Sequence, residues 1–161
     1  MLHVTLIGFG AIGRSIFARV AGLPGLRVDQ VVVSAARVKE LQSELGPDVQ
    51  VTDSLVVPTA QPGVATVVLE CAGHSALKTH VLKALEAGQE CGVLSVGALS
   101  EPGLPELLAD AARRGRTQVH LLAGAIGGID AIAAAKLAGL TDVTYTGRKP
   151  PSGWRGTPAE S

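Results

Sequence analysis

Aromatic side chains are nearly missing from this sequence: one Trp, one Tyr and two Phe make up 2% of its 161 residues. A core must therefore be assembled from Val, Leu, Ile and Ala, the palette of a buried parallel sheet covered by helices. Net charge is missing too, since Lys+Arg and Asp+Glu both count 14 and no long basic run occurs. That leaves no electrostatic case for nucleic acid or an anionic membrane surface. Cysteine is scarce. Cys71 and Cys91 have no CxxC partner and no metal-ligand neighbourhood, so reduced thiols and no metal site are expected; the alternative, a disulfide, has no pattern to support it. No apolar run reaches the length of a membrane span, and no basic stretch followed by an apolar one opens the chain. A cytoplasmic protein is expected. What the sequence does have is aliphatic bulk, with 47% hydrophobic against 17% charged residues. This excludes disorder and provides one domain with a real core, plus a fragment of a second.

The most informative stretch is Leu2 to Val20, LHVTLIGFGAIGRSIFARV. An apolar strand over Val4 to Ile7 runs into a G-x-G-x-x-G turn, and an apolar helical pattern of Ile12, Ile16, Phe17 and Val20 follows. Such a turn also serves as a plain strand–helix joint, but the flanking strand and helix favour dinucleotide binding. Gly8 permits the tight turn, Gly10 lets a pyrophosphate approach the backbone, and Gly13 lets the helix pack close to the strand. Gly8, Gly10, Ala11, Ile12 and Gly13 are the candidate phosphate-binding residues, since the helix start offers free N–H groups and a positive dipole end.

Further along, strands are expected at Val28–Val33, Val49–Thr52, Ala65–Glu70, Glu90–Val96, Gln118–Ala123 and Asp142–Thr146. Helices are expected at Arg37–Leu45, at Ser75–Ala87 with Ser75 as N-cap, at Pro102–Arg114 and at Ile129–Leu137. Asp53 to Gly63 reads as mostly loop, and Gly147 to Ser161 as a linker or the beginning of another domain. The alternation predicts an α/β, Rossmann-type doubly wound, mainly parallel sheet over residues 1–126, with the start of a second α+β domain over 127–161. Ligands of such sheets bind at the carboxyl ends of the strands. The clusters at those ends are Gly8–Gly13, Ser34–Arg37, Cys71–His74, Ser95–Ala98 and Gly124–Gly128. Cys71, Ala72, Gly73, His74, Ser95 and Gly97 are accordingly candidate cofactor contacts. His3, His80 and His120 read as structural or solvent-facing.

The end of the second strand offers Ser34, not the acidic residue that accepts from the ribose 2′-OH of NAD. Asp29 comes too early. Arg37 follows three residues later, and its guanidinium matches a 2′-phosphate. NADP therefore suits the site and NAD is not excluded; the plain alternative for Arg37 is a solvated first-turn residue.

The later loops, ECAGH from Glu70, SVGAL from Ser95 and GAIGGID from Gly124, together with TYTGRKPPSGWRGTPAE from Thr144, resemble the L-aspartate dehydrogenase family. The resemblance spans essentially the whole chain. It implies NAD(P)-dependent oxidation of L-aspartate to iminoaspartate, which hydrolyses to oxaloacetate and ammonia or feeds NAD biosynthesis. It also implies a cofactor contact at Ala125, and a catalytic His and a cofactor-binding Asn further along than Ser161. The 161 residues alone are then expected to bind cofactor with little turnover, and no catalytic residue is assigned within them. Arg148 and Lys149 are open to two readings, as partners of the substrate carboxylates or as solvated charges. Left uncovered, the 129–137 helix and the 142–146 strand would present an apolar face and an open edge, so a homo-oligomer that covers them, or else a disordered tail, is expected. Two alternatives stand beside this reading. One is a non-catalytic NAD(P)(H)-sensing Rossmann module; the other is a different amino-acid-pathway dehydrogenase, such as homoserine dehydrogenase.

Overall fold

The computed structural model describes residues 1–57, 64–124, 128–148 and 150–155. The chain packs as two units, Met1–Gly124 and Ala125–Ser161. The first holds six strands: β1 (Leu2–Ile7), β2 (Leu26–Val32), β3 (Gln50–Thr52), β4 (Ala65–Glu70), β5 (Glu90–Val93) and β6 (Val119–Leu121). They form one sheet in the order β3-β2-β1-β4-β5-β6, every pairing parallel. That is the doubly wound Rossmann order, reversing direction at β1.

Both faces are apolar, as a parallel sheet under helices requires. On one face Val4, Leu6 and Val31 pack with Phe9, and with Val20 of α1 (Ala11–Val20) and Leu41 of α2 (Ala35–Leu45). On the other, Ile7, Val32, Val68 and Val93 meet a composite helix and α5 (Leu104–Gly115). The composite helix consists of α3 (His74–Ala76), a π-turn (Leu77–Val81) and α4 (Leu82–Glu86). Its Leu77, Val81, Ala84 and Leu85 are wholly buried. Phe9 stands edge-on to Phe17 at 5.6 Å, and otherwise aliphatic side chains make up the core.

Several expected boundaries shift, each for a visible reason. The α1 stripe begins at Gly13, which faces the sheet, while Ile12 is 51% exposed. β2 starts at Leu26 and α2 at Ala35. Gly73, at φ +129°, occupies the cap position expected for Ser75, which instead lies in the first helical turn. β5 stops at Val93 because the Ser95 N–H turns to the Glu70 carboxylate rather than to a neighbouring strand. β6 then ends at Leu121, one residue before Leu122 N–H makes its bond to the carbonyl of Val93. α5 starts at Leu104 because Gly103 is left-handed, at φ +83°.

In the second unit α6 (Ile129–Leu137) forms as expected. The strand expected over Asp142–Thr146 does not form: these residues join no strand ladder among the described residues, and Val143 and Tyr145 are exposed. A short 3-10 turn follows at Pro151–Trp154. No helix among the described residues is long and apolar enough to cross a membrane.

Candidate functional site

The three glycines after β1 do different things. Gly8 has φ +98°, and a Cβ there would stand 2.7 Å from the backbone N and Cα of Ala72. Only a bare glycine lets the loop touch the exit of β4. A Cβ on Gly13 would stand 2.4 Å from the Gly8 carbonyl oxygen, so Gly13 lies directly beneath the turn. Gly10 has nothing within 4 Å of its Cβ position. It is the open side of the loop.

Backbone bonds fix this loop on both flanks: Gly8 N–H donates to Val32 O and Cys71 N–H to Ile7 O, each at 2.8 Å. The Cys71 thiol donates to the carbonyls of Ile7 and Gly8 at 3.3 and 3.2 Å. Burial, then the nearby Glu70 charge, pushes that thiol up to about 11; burial and Glu90 take Cys91 to about 12. Both cysteines are free and protonated at neutral pH, neither a nucleophile nor a metal ligand in this state. No cluster of metal-binding side chains occurs among the described residues.

A cleft of about 390 Å³ opens beside the loop. Gly8, Gly10, Ser34, Arg37, Cys71 and Ala72 all line it, so six of the sequence-derived candidates converge there. Arg37 Nη1 donates to the Phe9 carbonyl at 3.3 Å, which ties the start of α2 to the glycine turn. Arg37 is thus held at the cleft rather than freely solvated. Ala11 and Ile12 are exposed at the start of α1, and Gly13 is buried under the turn; none of the three lines the cleft.

Gly73, His74, Ser95 and Gly97 form a second group, at the exits of β4 and β5. Glu70 knits it together. This carboxylate has no exposed surface. Its Oε1 accepts from the N–H groups of Ala72 and Gly73 and from the Ser95 hydroxyl, all at 2.8 Å, and its Oε2 from Ser95 N–H at 3.0 Å. The His74 ring rests where Gly97 lacks a side chain, with Nε2 3.1 Å from the Cβ position. Ala125 lies outside the described residues, as does Lys149.

The structure adds groups that pattern reading passed over. Phe9, a variable position of the motif, is 3% exposed and carries the Arg14 guanidinium over its ring at 4.9 Å. Asp53, at the exit of β3, brings to the cleft a carboxylate that the end of β2 does not offer. His80, half-buried, also lines it with Thr79. His3 and His120 do meet carboxylates, those of Asp29 and Glu90. Partial burial raises the Asp29 carboxyl, but hydrogen bonds from Arg27 and His3 outweigh it and hold the group below its usual range. A larger cavity, about 510 Å³, is bounded by this ion-paired cluster, by Gln30 and Gln50, and by Thr66 at the start of β4. It lies away from the strand exits where ligands of such sheets bind.

The family model described as "Homoserine dehydrogenase, NAD binding domain" matches residues 8–122. The chain belongs to this family. Within it, the chain is 49% identical over 160 residues to an L-aspartate dehydrogenase of Ralstonia nicotianae, covering 99% of this chain and 60% of that one. It is 46% identical to one of Pseudomonas aeruginosa, covering 100% and 60%. The chain thus spans about 60% of the length of these relatives. The resemblance carried by the ECAGH, SVGAL and GAIGGID loops is borne out. Aspartate dehydrogenase from Thermotoga maritima has the same fold, with a TM-score of 0.61 at 23% identity over 84% of this chain and 52% of that one.

Proposed function

We propose that the cleft holds NAD or NADP and that the protein is an NAD(P)-dependent dehydrogenase of L-aspartate. The carrying observation is the glycine turn itself: Gly10 open to a ligand, between two glycines that packing forbids any side chain. The similarity of the whole chain to L-aspartate dehydrogenases supports the substrate. On this reading residues 1–126 form the cofactor domain and 127–161 begin a catalytic or dimerisation domain of a cytoplasmic homo-oligomer. The pyrophosphate rests on the Gly8–Gly13 turn at the start of α1, where N–H groups and the helix dipole meet negative charge. Ser34 and Arg37 face the adenosine ribose; the Gly73–His74 and Ser95–Gly97 loops, held by Glu70, frame the nicotinamide. When bound, the nicotinamide supplies the hydride acceptor for the α-carbon of aspartate. The amine loses a proton, and the resulting iminoaspartate is hydrolysed to oxaloacetate and ammonia or enters NAD biosynthesis. Titration of the purified chain with NADH and NADPH, followed by fluorescence, should give saturable binding; no binding of either overturns the reading.

Arg37 sets the balance between the two cofactors. A guanidinium pairs with a 2′-phosphate through charge-assisted bonds that a 2′-hydroxyl cannot match. Arg37→Ala is expected to weaken NADPH about tenfold more than NADH, a difference of about 1.4 kcal/mol. Equal losses for the two cofactors in the same titration would remove Arg37 from this role.

A further inference from the structure

Glu70 brings a charge to the site as well as a tie between two loops. It is the last residue of β4, in register with Ile7 of β1 and Val93 of β5, and so lies directly beneath the strand exits where ligands of such sheets bind. No part of it is exposed. Every group bonded to it is a donor: the N–H groups of Ala72, Gly73 and Ser95, and the Ser95 hydroxyl. A carboxyl group met by donors alone is matched as the anion. No Lys, Arg or His pairs with it among the described residues.

The charge is therefore spread over neutral dipoles without being cancelled. A buried carboxylate that lacks a countercharge is costly. Away from water its field is also poorly screened and reaches past its own hydrogen bonds. Cys71 shows that reach. It is the next residue in the chain and lines the cleft, and after burial it is the Glu70 charge that holds its thiol up, at about 11. A cation arriving at the loops after β4 and β5 meets the opposite sign.

The nicotinamide ring changes charge in the reaction. Its oxidised form is a cation. The α-carbon of aspartate gives up a hydrogen with both bonding electrons, and the ring that accepts this hydride becomes neutral. We infer that Glu70 makes the site favour the oxidised ring over the reduced one. The buried carboxylate draws the cationic ring to the loops it holds and has no such hold on the neutral ring, which favours release of the reduced cofactor. Glu70 does this at a distance, as a specificity-determining residue and not a catalytic one. The inference rests on the dinucleotide reading of the cleft, with the nicotinamide framed by the Gly73–His74 and Ser95–Gly97 loops.

The test is the ratio of dissociation constants, NAD+ over NADH, measured by calorimetry in the full chain and two variants. NADP+ and NADPH serve as the pair if the wild type binds only those. Glu70→Gln keeps the shape and removes the charge. It loosens the loops for both forms, but NAD+ should weaken about fivefold more than NADH, less than a full unit-charge interaction gives because the donors spread the charge. ADP-ribose, which lacks the ring, should weaken no more than NADH. Ser95→Ala keeps the charge and withdraws one donor, so the ratio should fall about twofold, in favour of NAD+. A role confined to holding the loops would weaken all three ligands by one common factor and leave the ratio at its wild-type value in both variants. That result overturns the inference, as does an ADP-ribose loss equal to that of NAD+. If Glu70→Gln does not fold, the Ser95→Ala ratio decides: a fall supports the inference, and an unmoved or raised ratio overturns it. Wild-type protein that binds neither pair would instead sink the cofactor reading on which the inference stands.

Discussion

Glu70→Ala is expected to lower the melting temperature by about 10 °C and to abolish measurable cofactor binding near that reduced midpoint. The reason is the count of donors aimed at one carboxylate. Three backbone N–H groups and one hydroxyl converge on it from two loops, and no part of it is exposed. A buried donor left without an acceptor costs about 1–3 kcal/mol. Relaxation and entering water recover part of that sum, so a net loss of about 3 kcal/mol is expected, which at this chain length corresponds to about 10 °C. Glu70→Gln separates charge from shape. Its amide retains one oxygen but must turn an NH2 group either toward Ser95 N–H or toward Ala72 and Gly73 N–H. It should lose about half as much stability as Ala and bind NADH more weakly than wild type at 25 °C, where both are folded. Calorimetric melting with NADH titration checks both points, and an unchanged Glu70→Ala melting temperature would show that the carboxylate does not hold the loops.

Gly13→Ala and Gly10→Ala should part company, though both add one methyl to the same turn. At Gly13 the methyl carbon would stand 2.4 Å from the Gly8 carbonyl oxygen and 3.3 Å from the Cys71 sulfur. The carbonyl is backbone and cannot swing aside, so the turn must open or α1 must lift from the sheet. Overpacking of this kind costs about 1–3 kcal/mol, and the distorted turn should bind NADH at least about tenfold more weakly, a loss of about 1.4 kcal/mol. At Gly10 a methyl meets nothing within 4 Å. That variant should melt like wild type yet lose a comparable share of cofactor affinity, because the methyl occupies the approach of the pyrophosphate. Loss of stability at Gly10, or none at Gly13, would reverse the roles assigned to the two positions.

The contrast bears on what pattern reading delivers. The sheet was legible because parallel strands buried on both faces are written as short, valine-rich apolar runs; VDQVVV and ATVVLE need no distant information. The turn was legible because glycine spacing, strand and helix are contiguous. Strand ends were not, since β5 stops where a side chain from β4, Glu70, captures the Ser95 N–H, and no local pattern announces a partner 25 residues away. Asp53 and His80 were missed for a related reason. Each is unremarkable in its own segment, and only the strand order and the packing of the helix after β4 bring them to one cleft. The carboxylate closing ATVVLE was the available signal for the Glu70 network: a charge at the end of an otherwise apolar strand demands donors. The Asp142–Thr146 expectation failed because an alternating sequence specifies a strand only where another strand stands ready to pair with it.

The bonds of Cys71 to the Ile7 and Gly8 carbonyls give the molecule an internal stopwatch. A thiol raised to about 11 and engaged with the glycine turn is a poor target for alkylation. It is half-buried on the wall of the cleft, so a reagent must reach it through the space proposed for the dinucleotide. The rate at which Cys71 is modified therefore reports on that cleft, and a bound dinucleotide is expected to slow it.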